Sequence, residues 1–392
     1  MRWRPKGQSG GIKLGNNIQK ELTYKNIFVA GIVGKRFDIT ITNGRFSSIA
    51  ESVSPYAQQN SPDGDLWISP GVIDLHTHLA WTDFNHADQE KRDKLEIEVM
   101  QAQAFEATFQ AGVTSVRDAG GLLPSTVKHI GQHYSQPLRV YTCGDMLGAG
   151  DARGFKHLER RVTEIIDSGA SWIKILATGG LGSSPDTVLN PIFSEEEFSF
   201  IVRSAHARNI KVMVHTWGGP TVDWSIDAGV ESIEHGMYLT EDQANRLAQS
   251  RTVFVPTASI YRIAADPSGV LSLDREICDR AARAAEAHPK AVSYAKRAGV
   301  RIAFGTDFAT PSLHGRNLEE LDTLVDCGLT RKEAWQAATE FAADILGYGD
   351  RLGRIKENYT ADAILFNADP YKSQNANALR ESIVSVIQGQ LE

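Results

Sequence analysis

From residue 71 to about residue 345, short apolar runs alternate with longer stretches whose apolar residues recur at helical spacing. The runs are Gly71–His76, Ser115–Asp118, Arg139–Thr142, Trp172–Leu176, Lys211–His215, Ser232–His235, Thr252–Pro256 and Arg301–Gly305. Each reads as a strand. Segments such as Leu95–Gln110, Leu158–Ser168 and Glu195–Arg208 are amphipathic and predict helices between them. Eight strand-then-helix units in roughly 275 residues match the size of a (β/α)8 barrel. An open doubly wound sheet is the structural alternative, but no GxGxxG follows the first run, which weakens its dinucleotide-binding version.

The flanks have a different texture. Asp38–Thr42 alternates, Asn43-Gly44 is a hairpin turn signal, and Arg45–Ala50 resumes the strand pattern. Ser54–Gly64 is rich in turn residues and predicts a loop. After Gly353, strands return at Ala361–Phe366 and Ser382–Ile387. Residues 22–70 and 350–392 are therefore expected to pair into one small β-sandwich domain, with the α/β barrel, residues 71–349, inserted between them. Residues 1–21 are expected to be a flexible polar leader. They carry Arg2, Arg4, Lys6, Lys13 and Lys20 and no acid before Glu21, and lack the apolar stretch of a secretory signal.

Charge and composition narrow the function classes. With 41 Lys+Arg against 48 Asp+Glu, the net charge is −7, which excludes a broadly basic nucleic-acid surface. Apolar stretches such as Ile27–Gly34 are far too short to span a bilayer. Cys143, Cys278 and Cys327 are widely spaced and no CxxC occurs, so a thiolate zinc knuckle is excluded and a disulfide framework is not expected. A cytoplasmic homo-oligomer acting on a small molecule, without nucleic-acid or membrane partners, is the expectation.

Residue types that ligate metals stand at the ends of the runs, where barrel active sites lie. His76 and His78 close the first run. Two residues apart on a strand, their side chains point the same way, and one metal can take both imidazoles. Lys174 interrupts the apolar sequence of the fourth run, where a buried ammonium is costly. It is either snorkelling or ion-paired, or it has reacted with carbon dioxide to an anionic carbamate able to bridge two cations. His215 ends the fifth run, His235 ends the sixth, and Asp307 follows the eighth. Singly, such histidines are more often structural than ligating, and such an aspartate usually caps a turn. Together, six residues at the ends of runs one, four, five, six and eight are explained by one binuclear metal site. His314, in the loop after the eighth run, has two readings, one at the substrate and one supporting the site.

These residues resemble the amidohydrolase superfamily of metal-dependent hydrolases. The matching pieces are Pro70-Gly71-Val72-Ile73-Asp74-Leu75-His76-Thr77-His78, Gly112-Val113-Thr114-Ser115-Val116-Arg117-Asp118, Lys174, His215, His235 and Gly305-Thr306-Asp307. Lys174-Ile175-Leu176-Ala177-Thr178-Gly179-Gly180 and Glu234-His235-Gly236-Met237-Tyr238 look like the neighbourhood of imidazolonepropionases and Xaa-Pro or Xaa-Arg dipeptidases. Leu147–Arg153 departs from the dipeptidase pattern, which carries a histidine there.

The resemblance implies hydrolysis of an amide-type C–N bond in a dipeptide or N-acyl amino acid. It implies that His76, His78 and Asp307 hold one divalent metal, that His215 and His235 hold a second, and that carboxylated Lys174 bridges them. Zinc is the expected ion. A hydroxide between the metals is the implied nucleophile, with Asp307 shuttling its proton. Tyr238, His314 and Arg262 are candidates for binding the substrate, and Tyr238 also for polarising its carbonyl. A lactam, imidazolone-type or ester substrate is the alternative. A mononuclear deaminase is a weaker one, because Thr216-Trp217-Gly218-Gly219 after His215 contains no glutamate. A metal-free scaffold is weaker still.

Overall fold

The computed structural model describes residues 12–13, 21–53, 65–134 and 137–391. The expected leader lies outside them apart from Ile12–Lys13 and Glu21, and the loop Ser54–Gly64 lies wholly outside.

At the start of the chain come β1 (Ile12–Lys13), β2 (Glu21–Val29), β3 (Arg36–Thr42), β4 (Arg45–Glu51) and β5 (Trp67–Pro70). Asn43 and Gly44 both take positive φ, 53° and 73°, so β3 and β4 form a tight hairpin pairing Thr42 with Arg45. At the other end lie β14 (Ala363–Phe366) and β15 (Ile383–Gln388). The two ends join in one seven-stranded mixed sheet of order β1-β15-β14-β5-β2-β3-β4. It encloses its own apolar cluster, including Ile39, Ile41, Phe46, Ile68, Leu365 and Ile387.

Between the ends the fold is α/β with parallel sheets. Three strands, β6 (Val72–Thr77), β7 (Val113–Asp118) and β8 (Arg139–Thr142), form one sheet. A second contains β9 (Met146–Leu147), β10 (Trp172–Leu176), β11 (Lys211–Thr216), β12 (Ser232–His235) and β13 (Val253–Val255), neighbours in that order. The first seven apolar runs thus form strands, and β9 is an addition the apolar pattern does not announce.

The eighth run differs from expectation. Residues 301–308 form isolated parallel bridges rather than a regular strand, Ile302 to Phe254 and Phe308 to Thr77. They still link the two sheets. Ala303 N donates to Phe254 O at 2.8 Å, and Leu75 N to Phe304 O at 3.0 Å. The irregularity has a local cause: Thr306 N and Asp307 N both aim at His76 O, which a straight strand does not permit.

Helices cover the outer faces of the sheets. α1 (Lys94–Gln110) starts on the Asp93 carboxylate, α2 (Phe155–Asp167) follows β9, and α3 (Glu195–His206) starts in a reciprocal Ser194–Glu197 cap. Later come α4 (Ala258–Ala264), α5 (Arg275–Ala298) and α6 (Glu319–Asp326). Strands β6, β7 and β12 are buried along their whole length, as covering both faces requires. Phe105, Phe109, Leu158 and Ile201 pack from the helices onto the strands. Ile73, Leu75, Met213 and Val255 fill a separate cluster. Each such buried side chain contributes roughly 1.5–3 kcal/mol of transfer free energy. Among the described residues, no helix is long and apolar enough to cross a membrane.

Candidate active site

The site begins with a buried carboxylate that sequence reasoning passed over. Asp74, inside β6, accepts from His76 N at 3.1 Å, Thr306 N at 3.1 Å, Thr306 Oγ1 at 2.7 Å and Asn317 Nδ2 at 2.9 Å. It staples the end of β6 to the eighth run and sets Asp307 over His76. Asp307, His235 and Thr257 all hold left-handed backbone, with φ of 57°, 71° and 51°. Non-glycine residues avoid this region, and its use at three neighbouring strand ends is strain of the kind that collects at functional sites.

Hydrogen bonding fixes the tautomers of the first two histidines. His78 Nδ1 lies 2.9 Å from Gly120 O, and a carbonyl only accepts, so this nitrogen carries the proton. His76 Nδ1 lies 2.7 Å from Glu234 Oε2 and is a donor for the same reason. In neutral rings each Nε2 is then a bare lone pair. The two lie 3.3 Å and 3.2 Å from the same oxygen, Asp307 Oδ1. Acceptors therefore face an acceptor, and a cation among them removes the repulsion. Two imidazolium ions would also do so, but would bury two more charges beside Lys174. Imidazole nitrogen and carboxylate oxygen are a zinc-type donor set. His76, His235 and Asp307 each offer an atom within 4.8 Å of the others.

The remaining predicted ligands converge on this point. Lys174 is 1 % exposed, with Nζ 3.4 Å from His76 Nε2. Burial lowers its pKa against the pull of Glu234 and Asp307, towards the neutral amine that attacks carbon dioxide. His215 Nε2 donates to Gly179 O at 3.1 Å, leaving Nδ1 as its lone pair. Burial and the Lys174 charge push His215 down to about 3, so it is a neutral ring. His235 is pushed well below the usual histidine range by burial and by His215, and its Nδ1 sits 2.7 Å from Thr257 Oγ1. The His215 and His235 rings stand 4.4 Å apart, and those of His76 and His235 4.9 Å apart.

Behind His76 lies an ion pair of full burial. Arg117 Nη2 is 2.8 Å from Glu234 Oε1, while its other nitrogens donate to Leu75 O at 2.6 Å and Ser232 Oγ at 2.9 Å. Its guanidinium lies over the Trp172 ring at 4.5 Å. Burial disfavours the Glu234 charge, but Arg117 and His76 overcome it and bring the carboxyl down to about 2.

The cluster forms the floor of a cavity of about 400 Å³. Its walls include Trp81, whose ring stacks on His78 at 3.9 Å, and Tyr261, whose ring meets His235 edge-on at 5.9 Å. The three proposed substrate-binding residues do not line it. Tyr238 is half-buried against Trp217, 6.3 Å between rings. Arg262 is tied to Asp326 at 2.6 Å in a separate recess. His314 is buried beside His78, and burial pushes its pKa down to about 4. Tyr261, next to Arg262 in sequence and not singled out there, lines the cavity instead. Consecutive helical residues point about 100° apart, so one enters the cavity and the other leaves it.

The model of the Amidohydrolase family matches residues 67–389. Ochratoxinase of Aspergillus niger is 29% identical over 342 residues, covering 77% of this chain and 70% of its own. An uncharacterised protein of Mycobacterium tuberculosis is 27% identical over 363 residues, covering 89% and 90%. A crystal structure of a Xaa-Pro dipeptidase with methionine bound in its active site superposes with a TM-score of 0.76 at 25% identity, covering 90% of this chain and 95% of its own.

Proposed function

This chain belongs to the amidohydrolase family and is a hydrolase of carbon–nitrogen bonds, and from that premise we propose that it cleaves an amide-type bond of a small molecule at a binuclear metal centre. The observation that carries the reading is the meeting of two imidazole nitrogens, His76 Nε2 and His78 Nε2, on one carboxylate oxygen of Asp307. We read the two parallel sheets as one closed (β/α)8 barrel over residues 71–349, with the chain ends, residues 22–70 and 350–392, as a small sandwich domain beside it.

His76, His78 and Asp307 would hold one ion, His215 and His235 a second, with carboxylated Lys174 shared between them. Bound there, zinc supplies a water of lowered pKa and a Lewis acid for the substrate carbonyl. The chain's own groups do the rest. Trp81 and Glu234 keep the His78 and His76 rings in place. Asp307 directs Oδ1 at the two imidazoles, and its Oδ2, 3.9 Å from His235 Nδ1, is available to take a proton from water and pass it to the leaving nitrogen. The Tyr261 side chain lines the same cavity, and its hydroxyl would donate to the carbonyl oxygen.

The sequence points to a dipeptide or N-acyl amino acid with Tyr238, His314 and Arg262 reading its carboxylate, but none of the three lines the cavity. The cavity itself favours an amide bond without naming its flanking groups. The test is a panel of dipeptides, N-acyl amino acids and neutral amides with the zinc-loaded protein, scored by amine release. Release from at least one class supports the reading, and release from none contradicts it.

A further inference from the structure

Apart from the metal-ligand candidates, the cavity wall is largely apolar. Trp81, Phe84, Met146, Leu176, Ile192 and Ile260 surround the space above the histidine floor. Among the described residues lining it, Lys174 and Asp307 alone are Lys, Arg, Asp or Glu, and both belong to the floor. The other polar side chains of the wall, Thr178, Ser183 and Tyr261, carry no charge. Thr178 Oγ1 donates to Gly179 O at 3.0 Å, and Ser183 Oγ accepts from Gly180 N at 3.0 Å.

Three arginines beside cavity-lining residues are committed elsewhere. Arg280, though buried, spends Nη1 on the carbonyls of Leu181 and Ser183 and Nη2 on Glu276 at 3.2 Å. It thereby ties down the loop that forms one wall. Arg92 is paired with Asp83 through two bonds of 2.6 and 2.8 Å, and Arg262 with Asp326. A carboxylate on the wall side of a substrate would lose its water and gain no cation. Burial of an unpaired charge is among the most unfavourable things a site can do. A flat aromatic or branched aliphatic group gains there instead, since it covers six apolar side chains.

We propose that the substrate is an uncharged amide, with an aromatic or branched aliphatic group seated against the wall of Trp81, Phe84, Met146, Leu176, Ile192 and Ile260, and no carboxylate anchor. This rests on the reading of the site as an amide hydrolase and narrows it to a substrate class.

The test compares N-benzoyl-2-phenylethylamine with N-benzoyl-phenylalanine, which differ only in the carboxylate. Both turnover and calorimetric binding are followed on the zinc-loaded protein. The expected result is a kcat/KM at least about tenfold higher for the neutral compound, the order associated with leaving a charged group without its hydrogen bonds. Met146→Lys, which adds a cation to the wall, should narrow or reverse that gap. Equal or faster cleavage of the acid by the unaltered protein overturns the proposal while leaving amide hydrolysis standing. If neither compound is cleaved, binding decides. Binding of the neutral compound alone upholds the substrate class and counts against amide cleavage. Tighter binding of the acid, or no binding of either at millimolar concentration, overturns the class.

Discussion

The Nδ1 atom of His76 lies 2.7 Å from Oε2 of Glu234, and the other oxygen of that carboxylate lies 2.8 Å from Arg117. A ring facing the cavity is thus held from behind by an ion pair from which water is excluded. The carboxylate keeps the His76 proton on Nδ1, so Nε2 faces Asp307 as a lone pair, and it makes that nitrogen a stronger donor to a metal.

Glu234→Gln should weaken this arrangement without emptying its space. A glutamine oxygen can accept from His76 or from Arg117, but lacks the charge to serve both. Zinc affinity is expected to fall by about 10–100-fold, read by competition with a chromophoric chelator. Unchanged affinity would mean that the carboxylate serves only the fold.

Lys174→Ala should release at least half of the bound metal. A short carboxylic acid such as propionate should restore part of the metal content and part of the activity, because its carboxylate can take the place of the carbamate. A variant with full metal content and unaltered turnover would rule out the bridging role.

Asp307→Asn keeps an oxygen for the imidazole side but cannot carry a proton. Turnover is expected to fall by about 10²–10⁴-fold, with a much smaller change in KM. If the variant retains its metals and a near-normal kcat, the proton shuttle lies elsewhere.

The pH dependence of stability should carry a mark of Glu320. On α6, its carboxylate accepts from Ala258 N at 2.9 Å and Ser259 N at 2.7 Å. Burial, with the Asp74 charge adding, nevertheless raises its pKa from 4.5 to about 7. The folded chain therefore holds this proton where the unfolded chain has released it, so this contribution is fully present below about pH 4.5 and is lost as pH rises through about 7. The loss is roughly 3 kcal/mol. Denaturant midpoints at pH 5 and pH 8 should differ more for the native chain than for Glu320→Gln. An equal difference in both would dismiss the assignment.

How much of this the sequence disclosed depends on which physical rule governs each residue. The candidate ligand positions stand out in the sequence because apolar runs mark the strands, and chemistry in parallel α/β folds gathers at their C-terminal ends. His76, His78, Lys174, His215, His235 and Asp307 all follow from that one regularity. Glu234 was not legible. Alternation along β12 sends neighbours to opposite faces, and only the left-handed turn at His235, φ 71°, brings Glu234 and His235 to the same cluster. Asp74 was hidden in the same way, as a polar residue inside an apolar run whose partners lie more than 200 residues away. The lining of the cavity is not legible in the sequence for a different reason. Arg262 and Tyr261 are adjacent on α4, and the rotation of the helix, which no spacing reveals, decides which of them meets the cavity.

Two metal ions among these six side chains fix a stoichiometry that elemental analysis of the zinc-loaded, exhaustively dialysed protein reads out. Two ions per chain are expected in the native protein and no more than one in Lys174→Ala. A native stoichiometry of one, or of none, would contradict the binuclear site.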